Sequence, residues 1–133
     1  MEGYVISQLT RFLTTGSDHR RKGDFFERKA HRFLAMKGLK KISSNYQCRY
    51  GEIDLICRDG KFLVFIEVRY REKNNFGSAL DSVTPEKQRK IRLTAKHFLQ
   101  KNGLGNRMPC RFDVVGIDKN DGKLNYQWIK NAF

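Results

Sequence analysis

The chain has only two prolines, three cysteines, three histidines and one tryptophan among its 133 residues. Its longest unbroken aliphatic and aromatic run, Phe62 to Ile66, is far below the roughly 18 residues that a membrane span requires, so no bilayer crossing is expected. Cys48, Cys57 and Cys110 are odd in number and match no Cys-x-x-Cys or Cys/His zinc spacing. Neither a disulfide framework nor a structural zinc site is expected, and reduced thiols in a cytoplasmic protein are the simpler reading. His19, His31 and His97 are scattered and need no metal or catalytic role; His31 and His97 are expected to decorate helices. No Gly-rich phosphate loop, nucleophile elbow or internal repeat occurs. Glu2 stands where a secretory signal would be basic, and Tyr4 to Leu13 mixes polar residues throughout, unlike such a signal.

Negative charge is also scarce. Lys and Arg number 27 against 14 Asp and Glu, a formal net charge of +13 with a sequence pI near 10. That excess favours a polyanionic partner, nucleic acid before an anionic membrane surface. The length suits one domain with a core around one sheet. We place it at residues 23–133, with 1–22 as an arm or short amphipathic helix in which Val5, Leu9, Phe12 and Leu13 share a stripe.

The few carboxylates gather on one predicted hairpin. Two runs rich in Ile, Leu, Val and Phe flank Arg58-Asp59-Gly60-Lys61, and an Asp-Gly pair between such runs is a strong hairpin signal. A two-residue Asp59-Gly60 loop pairs Arg58 with Lys61, Glu52 with Glu67 and Asp54 with Phe65. Strand alternation then puts Glu52, Asp54, Glu67 and Arg69 on one face and Ile53, Leu55, Cys57, Phe62, Val64, Ile66 and Val68 on the other. Carboxylates beside the apolar Ile56, Leu63 and Phe65 are costly to ionise without a compensating cation or donor. Cross-strand spacing brings Asp54 and Glu67 within reach of one shared cation. The alternative is an edge hairpin whose acids face water or pair with surface bases.

The flanking segments give an α-β-β-β-α-β-β order. Asp24 as cap and Glu27 three residues on form a capping-box pattern opening a helix, with Phe26, Ala30, Phe33 and Leu34 inward and Gly38 ending it. Leu39 to Cys48 reads as a strand leading through Arg49-Tyr50-Gly51 into the hairpin. Tyr70 to Thr84 reads as a mobile loop. There Tyr70, Arg71, Lys73 and Phe76 suit stacking and phosphate pairing, although Phe76 is equally explained as an anchor onto the core. Thr84-Pro85-Glu86 starts a second helix that runs to about Asn102 and ends at Gly103. Its Ile91, Ala95, Phe98 and Leu99 face inward, leaving Lys87, Arg89, Lys90, Arg92 and Lys96 outside. That basic face is either a solvated surface or a clamp on a phosphate backbone. Arg111 to Ile117 and Tyr126 to Ile129, joined by a turn at Asn120-Asp121-Gly122, complete the sheet. Asp113 on the first of them is read as a salt-bridge partner of Arg111.

Asp54, a dozen residues, then Glu67-x-Arg69 resembles the metal-binding core of the PD-(D/E)XK nuclease superfamily. With Gly51 to Ile56, Phe65 to Arg71, Phe76-Gly77-Ser78-Ala79 and Lys87-Gln88-Arg89-Lys90, the chain from about Gly23 to Val115 resembles the bacterial YraN family. The resemblance implies a restriction-endonuclease-like α/β (α+β) fold, a central mixed sheet of about five strands flanked by helices, similar to archaeal Holliday-junction resolvases. It implies Mg²⁺ or Mn²⁺ held by Asp54, Glu67 and the Val68 carbonyl. Glu27 on the first helix either caps or completes the acidic cluster, and Gln88 orients a water or a phosphate. Resolvase-like enzymes act as dimers, so a homodimer is a further expectation.

One position departs from the pattern. Nuclease members usually carry Lys where this chain has Arg69, and a guanidinium cannot lose its proton at any relevant pH. Arg69 can still counter charge on a phosphate. The sequence thus supports a nucleic-acid-binding protein, with DNA as the expected partner, gripped by Lys87, Arg89, Lys90, Arg92, Arg71 and Lys73. Two outcomes follow from that reading: a metal-dependent endonuclease on branched or structured DNA, or a catalytically silent DNA-binding or protein-interaction module that retains the fold.

Overall fold

The computed structural model describes residues 10–71, 79–105 and 107–133, the stretch 10–21 through its backbone only. Lys73 and Phe76 lie outside the described residues, as do Val5, Leu9 and the side chains of Phe12 and Leu13.

Seven regular elements follow the predicted order, with one short 3₁₀ turn added. Helix α1 spans Thr10–Met36; strands β1, β2 and β3 span Lys40–Cys48, Gly51–Asp59 and Phe62–Arg71. A 3₁₀ turn at Leu80–Ser82 precedes helix α2, Pro85–Lys101. Strands β4, Cys110–Asn120, and β5, Lys123–Ile129, close the chain. The strands lie in sequence order in one sheet, antiparallel except for the β3–β4 pair. That parallel pair exists because α2 carries the chain back over the sheet before β4. The mixed five-stranded sheet and its two helices fit the α/β nuclease-like architecture.

Helix ends obey the local signals at three of four places. Gly38 and Gly103 adopt φ +99 and +67. Beyond them Leu39 N–H donates to the Leu34 carbonyl at 3.1 Å and Leu104 N–H to the Leu99 carbonyl at 2.9 Å, satisfying orphan carbonyls in the Schellman manner. Thr84 Oγ1 accepts from Lys87 N–H at 3.2 Å, the N-cap expected from the sequence. The capping box at Asp24 is not formed, since α1 runs through Gly23 and Asp24 from Thr10. One interior glycine costs about 1 kcal/mol against alanine, too little to end a helix continued on both sides.

Each sheet face carries its own core. Phe26, Ala30 and Leu34 of α1 cover Leu55, Cys57, Val64, Ile66, Val115 and Ile117. Ile91, Ala95 and Phe98 of α2 cover Ile53, Ile56, Leu63, Phe65 and Val114. Burying each such large side chain contributes about 1.5–3 kcal/mol, so the two helices fix which side of every strand faces which layer.

The hairpin loop differs from the expected one. Asp59 pairs with Phe62 and Arg58 with Leu63, so Gly60-Lys61 forms the loop, with Gly60 at φ +60 in its first position, the geometry of primed turns. Asp59 stays in the strand because its carboxylate receives Arg111 Nη2 at 2.9 Å. The register moves by two residues, which preserves faces; a one-residue slip would have inverted them. A second correction concerns Ile53, which joins the α2-side core while Leu55 joins the α1 side. Strand β2 turns over between them, at Asp54. The expected loop is also shorter than 70–84, because β3 continues through Tyr70 and Arg71 and Leu80–Ser82 is ordered into a turn.

Candidate functional site

The β2–β3 ladder is paired as far as Leu55 with Ile66. One step beyond, the two strands part and the Asp54 side chain fills the gap, its Oδ2 accepting the Val68 N–H at 2.9 Å. A carboxylate here takes the place of a strand partner. Burial, and next the charge of Glu67, push the Asp54 carboxyl well above the usual carboxylate range, only partly offset by the Val68 N–H.

Glu27 reaches the same point from α1. Its side chain hydrogen-bonds to Asn45 and Asp54, and burial pushes its carboxyl up to about 7. A hydrogen bond between two carboxyl groups needs one proton between them. Asn45 is positioned by a left-handed backbone at φ 53, a conformation that Asn tolerates better than most residues. Glu27 is thus an acidic-cluster member and an interior helix residue, and the capping alternative falls with the helix start.

Glu67 is 6% exposed and receives two cations. Lys87 Nζ, from the first turn of α2, lies 3.1 Å from Oε2, and Arg69 Nη1 lies 3.3 Å from the same oxygen. Arg69 Nε donates to Ser82 Oγ at 2.9 Å, and that hydroxyl donates to the Ala79 carbonyl at 2.6 Å. The 79–82 segment is seated on Gly116, the β4 partner of Arg69; a Cβ at Gly116 would fall 2.6 Å from Ala79 Cβ. Between these side chains and the start of α2 opens a cavity of about 320 Å³, lined by Glu52, Asp54, Glu67, Lys87 and Lys90 among others. Four carboxylates, counting Glu86, and two lysines stand on its walls.

The expected residues therefore divide. Asp54 and Glu67 share the pocket with Lys87 and Lys90, while Arg69 is joined to them through Glu67 and Glu27 touches Asp54 from α1. Gln88 is directed elsewhere: its Nε2 donates to the Val83 carbonyl at 3.0 Å, tying α2 to the preceding turn. Arg89 pairs with Glu86 on the surface at 2.8 Å. Arg92 lies over the Phe112 and Phe133 rings, 5.1 and 5.4 Å from their centroids. Arg71 is the last residue of β3 and has interactions of its own. Val68 contributes its N–H to Asp54. Asp113 is fully buried among Arg111, Trp128 Nε1 and the Asn131 N–H, the salt-bridge role expected of it. Among the described residues no group of three His, Cys, Asp or Glu side chains is arranged as a ready cation cage, and no helix is long and apolar enough to cross a membrane.

Three contacts were not foreseen from the sequence. Asn45 on Glu27 and Ser82 on Arg69 are single polar residues in ordinary contexts, with no local signal. Lys87 was legible as a basic residue in a capped first turn, and the contact with Glu67 arises only when α2 packs across β3.

A model of the family described as "Uncharacterised protein family UPF0102" matches residues 26–117. The UPF0102 protein of Nitrosococcus oceani is 50% identical over 115 residues, covering 86% of this chain and 93% of the relative. That of Legionella pneumophila strain Corby is 47% identical over 112 residues, 84% and 93% of the two chains. One from Pseudomonas fluorescens is 43% identical over 115 residues, 86% and 94%. The matched span contains every residue that lines the pocket, from Gly51 to Ile91, and Glu27 as well.

Proposed function

The chain belongs to the UPF0102 (YraN) family of the restriction-endonuclease-like superfamily, and from that premise we propose that it binds structured DNA and cuts it with the help of a divalent ion. The observation that carries this reading is the convergence of Asp54, Glu67 and Lys87 on one open pocket in a chain of net charge +13. Such an excess of positive charge draws a polyanion to the surface, yet the pocket itself concentrates acids. A purely electrostatic grip on phosphate has no use for carboxylates there; a cation bridging protein and phosphate does.

The donors fit Mg²⁺ or Mn²⁺. Both are hard ions that take carboxylate oxygens, and Mg²⁺ keeps several waters and needs few protein ligands. Asp54 and Glu67 would hold the ion, with the Val68 carbonyl as a third donor. When bound it would neutralise phosphate charge and acidify a water.

The chain's own residues have distinct parts. Arg69, clamped by Ser82 and Glu67, keeps its charge at every pH and faces the charge developing on the scissile phosphate. Lys87 supplies the ammonium that position 69 lacks, delivered from a helix instead of the strand. Lys90 extends the positive wall along the path of the backbone. Three free cysteines accord with a reducing cytoplasmic setting.

The test is cleavage of duplex, forked and four-way DNA by the full chain with Mg²⁺ or Mn²⁺. Nicking or cutting that disappears in both Asp54→Ala and Glu67→Ala supports the proposal. Inactive wild type on all three substrates overturns it. One observation favours the second reading, a silent binding module: Glu67 is already compensated by two cations. Salt-sensitive DNA binding that survives Asp54→Ala, with no divalent binding at millimolar concentration, would establish that module.

A further inference from the structure

Just before the pocket, the β1–β2 turn presents Arg49-Tyr50-Gly51 on top of α2. Gly51 adopts φ +151 and packs so closely that a Cβ would meet Thr94 Oγ1 at 3.3 Å. Tyr50 is half-buried. Its hydroxyl accepts from Arg49 Nη2 at 2.8 Å, and the same guanidinium lies 5.0 Å from its ring centroid. On another side the ring meets His97 at 6.3 Å, edge on, and His97 is itself fixed by the Tyr46 hydroxyl, 2.6 Å from Nδ1. The turn is therefore a rigid aromatic and cationic shelf. Neither the fold nor the acidic pocket requires an exposed arginine and a buttressed tyrosine at this point.

Its position gives it a use. Glu52, two residues along the same chain, lines the acidic cavity with Lys90, and two strand residues span about 6.6 Å, a step comparable with one nucleotide. Lys90, Thr94 and His97 fall on one face of α2, so one helix supports both pocket and shelf. Stacking of a base on an aromatic side chain tolerates every base but needs that base unstacked from its neighbours.

We propose that Tyr50, with Arg49 on the adjoining phosphate, receives an unpaired nucleobase next to the phosphate seated in the pocket, which makes single-strand–duplex boundaries the preferred substrate. This rests on the nuclease-like reading of the pocket and specifies its substrate class. The occupant is a base and not an acidic peptide because stacking and phosphate pairing are offered together, beside a surface of strong positive charge.

The test is binding of the full chain, in EDTA so that no cleavage intervenes, to a forked DNA carrying 2-aminopurine at the branch and to the matching duplex. Wild type is expected to alter the 2-aminopurine fluorescence and to prefer the fork. Tyr50→Leu should weaken fork binding roughly tenfold, the scale of one lost stack, and lose the fluorescence change, while Tyr50→Phe and Tyr50→Trp keep both. A Tyr50→Leu variant that binds the fork like wild type, with the same fluorescence change, overturns the inference and leaves the pocket reading intact. Asp54→Ala should retain the fork preference while losing cleavage. If wild type shows the Tyr50-dependent fork preference in EDTA yet never cleaves with metal, the cleavage reading falls alone. Absence of any DNA binding overturns both.

Discussion

Lys87 Nζ lies 3.1 Å from Glu67 Oε2, so an ammonium carried by α2 meets a nearly buried carboxylate carried by β3. The adjacent Arg69 reaches the same oxygen from its own strand at 3.3 Å. On the proposed nuclease-like reading, a strand guanidinium and a helix ammonium would together stand where the PD-(D/E)XK pattern has a single strand lysine. Their geometry differs, since a guanidinium is a planar fork and an ammonium a compact point charge.

From this arrangement Lys87→Ala should lower the rate of DNA cleavage by about 10²-fold, the usual scale for losing one positioned donor to a developing negative charge. Lys87→Arg should restore binding but not rate. Single-turnover cleavage alongside fluorescence-polarisation binding separates these. Equal rates for Lys87→Arg and wild type would reduce Lys87 to a charge.

Gly116 holds the other cation in place at a distance. Gly116→Ala would drive a Cβ to 2.6 Å from that of Ala79, displacing the segment whose Ser82 fixes Arg69. Overpacking of this kind costs about 1–3 kcal/mol, which should lower the melting temperature by several degrees, as thermal denaturation would measure. Ser82→Ala should weaken the hold on Arg69 with a much smaller stability loss.

The proton held between Glu27 and Asp54 makes stability depend on pH. The folded-state value of Glu27 is about 7 against an ordinary 4.5, so between those values the folded chain binds more protons than the unfolded one. Stability from this group is therefore full below about pH 4.5 and declines as pH rises through 7. Glu27→Gln removes the ionisation. It should match wild type near pH 4 and exceed it at pH 8 by about 1–2 kcal/mol, after allowance for the partial exposure of the side chain. Urea unfolding at the two pH values measures the difference; a Gln variant less stable than wild type at pH 8 would contradict it.

Much of this was legible before the coordinates, for reasons that residues make plain. Thr84-Pro85 and Gly38 act locally, and both helix signals operate as written. Glu52, Asp54 and Glu67 still meet despite a mistaken register, because a shift of two residues keeps the alternation of faces along β3 and along β2 from Leu55 onward. The register itself depended on Arg111, whose ion pair with Asp59 retains that aspartate in the strand. No reading of the hairpin alone contains that partner. Asp54 illustrates the other kind of limit: alternation predicts a side chain pointing off the sheet, whereas parting strands let it take the Val68 N–H. Lys87 reads from the sequence only as a base suited to phosphate, because its distance from Glu67 is a consequence of how α2 crosses β3.

The most direct measurement is a calorimetric Mn²⁺ titration of the full chain and of Asp54→Ala. The account predicts one binding event at millimolar affinity or tighter in wild type, absent from the variant while its thermal melting stays cooperative. No heat from wild type, or the same isotherm from Asp54→Ala, would contradict it.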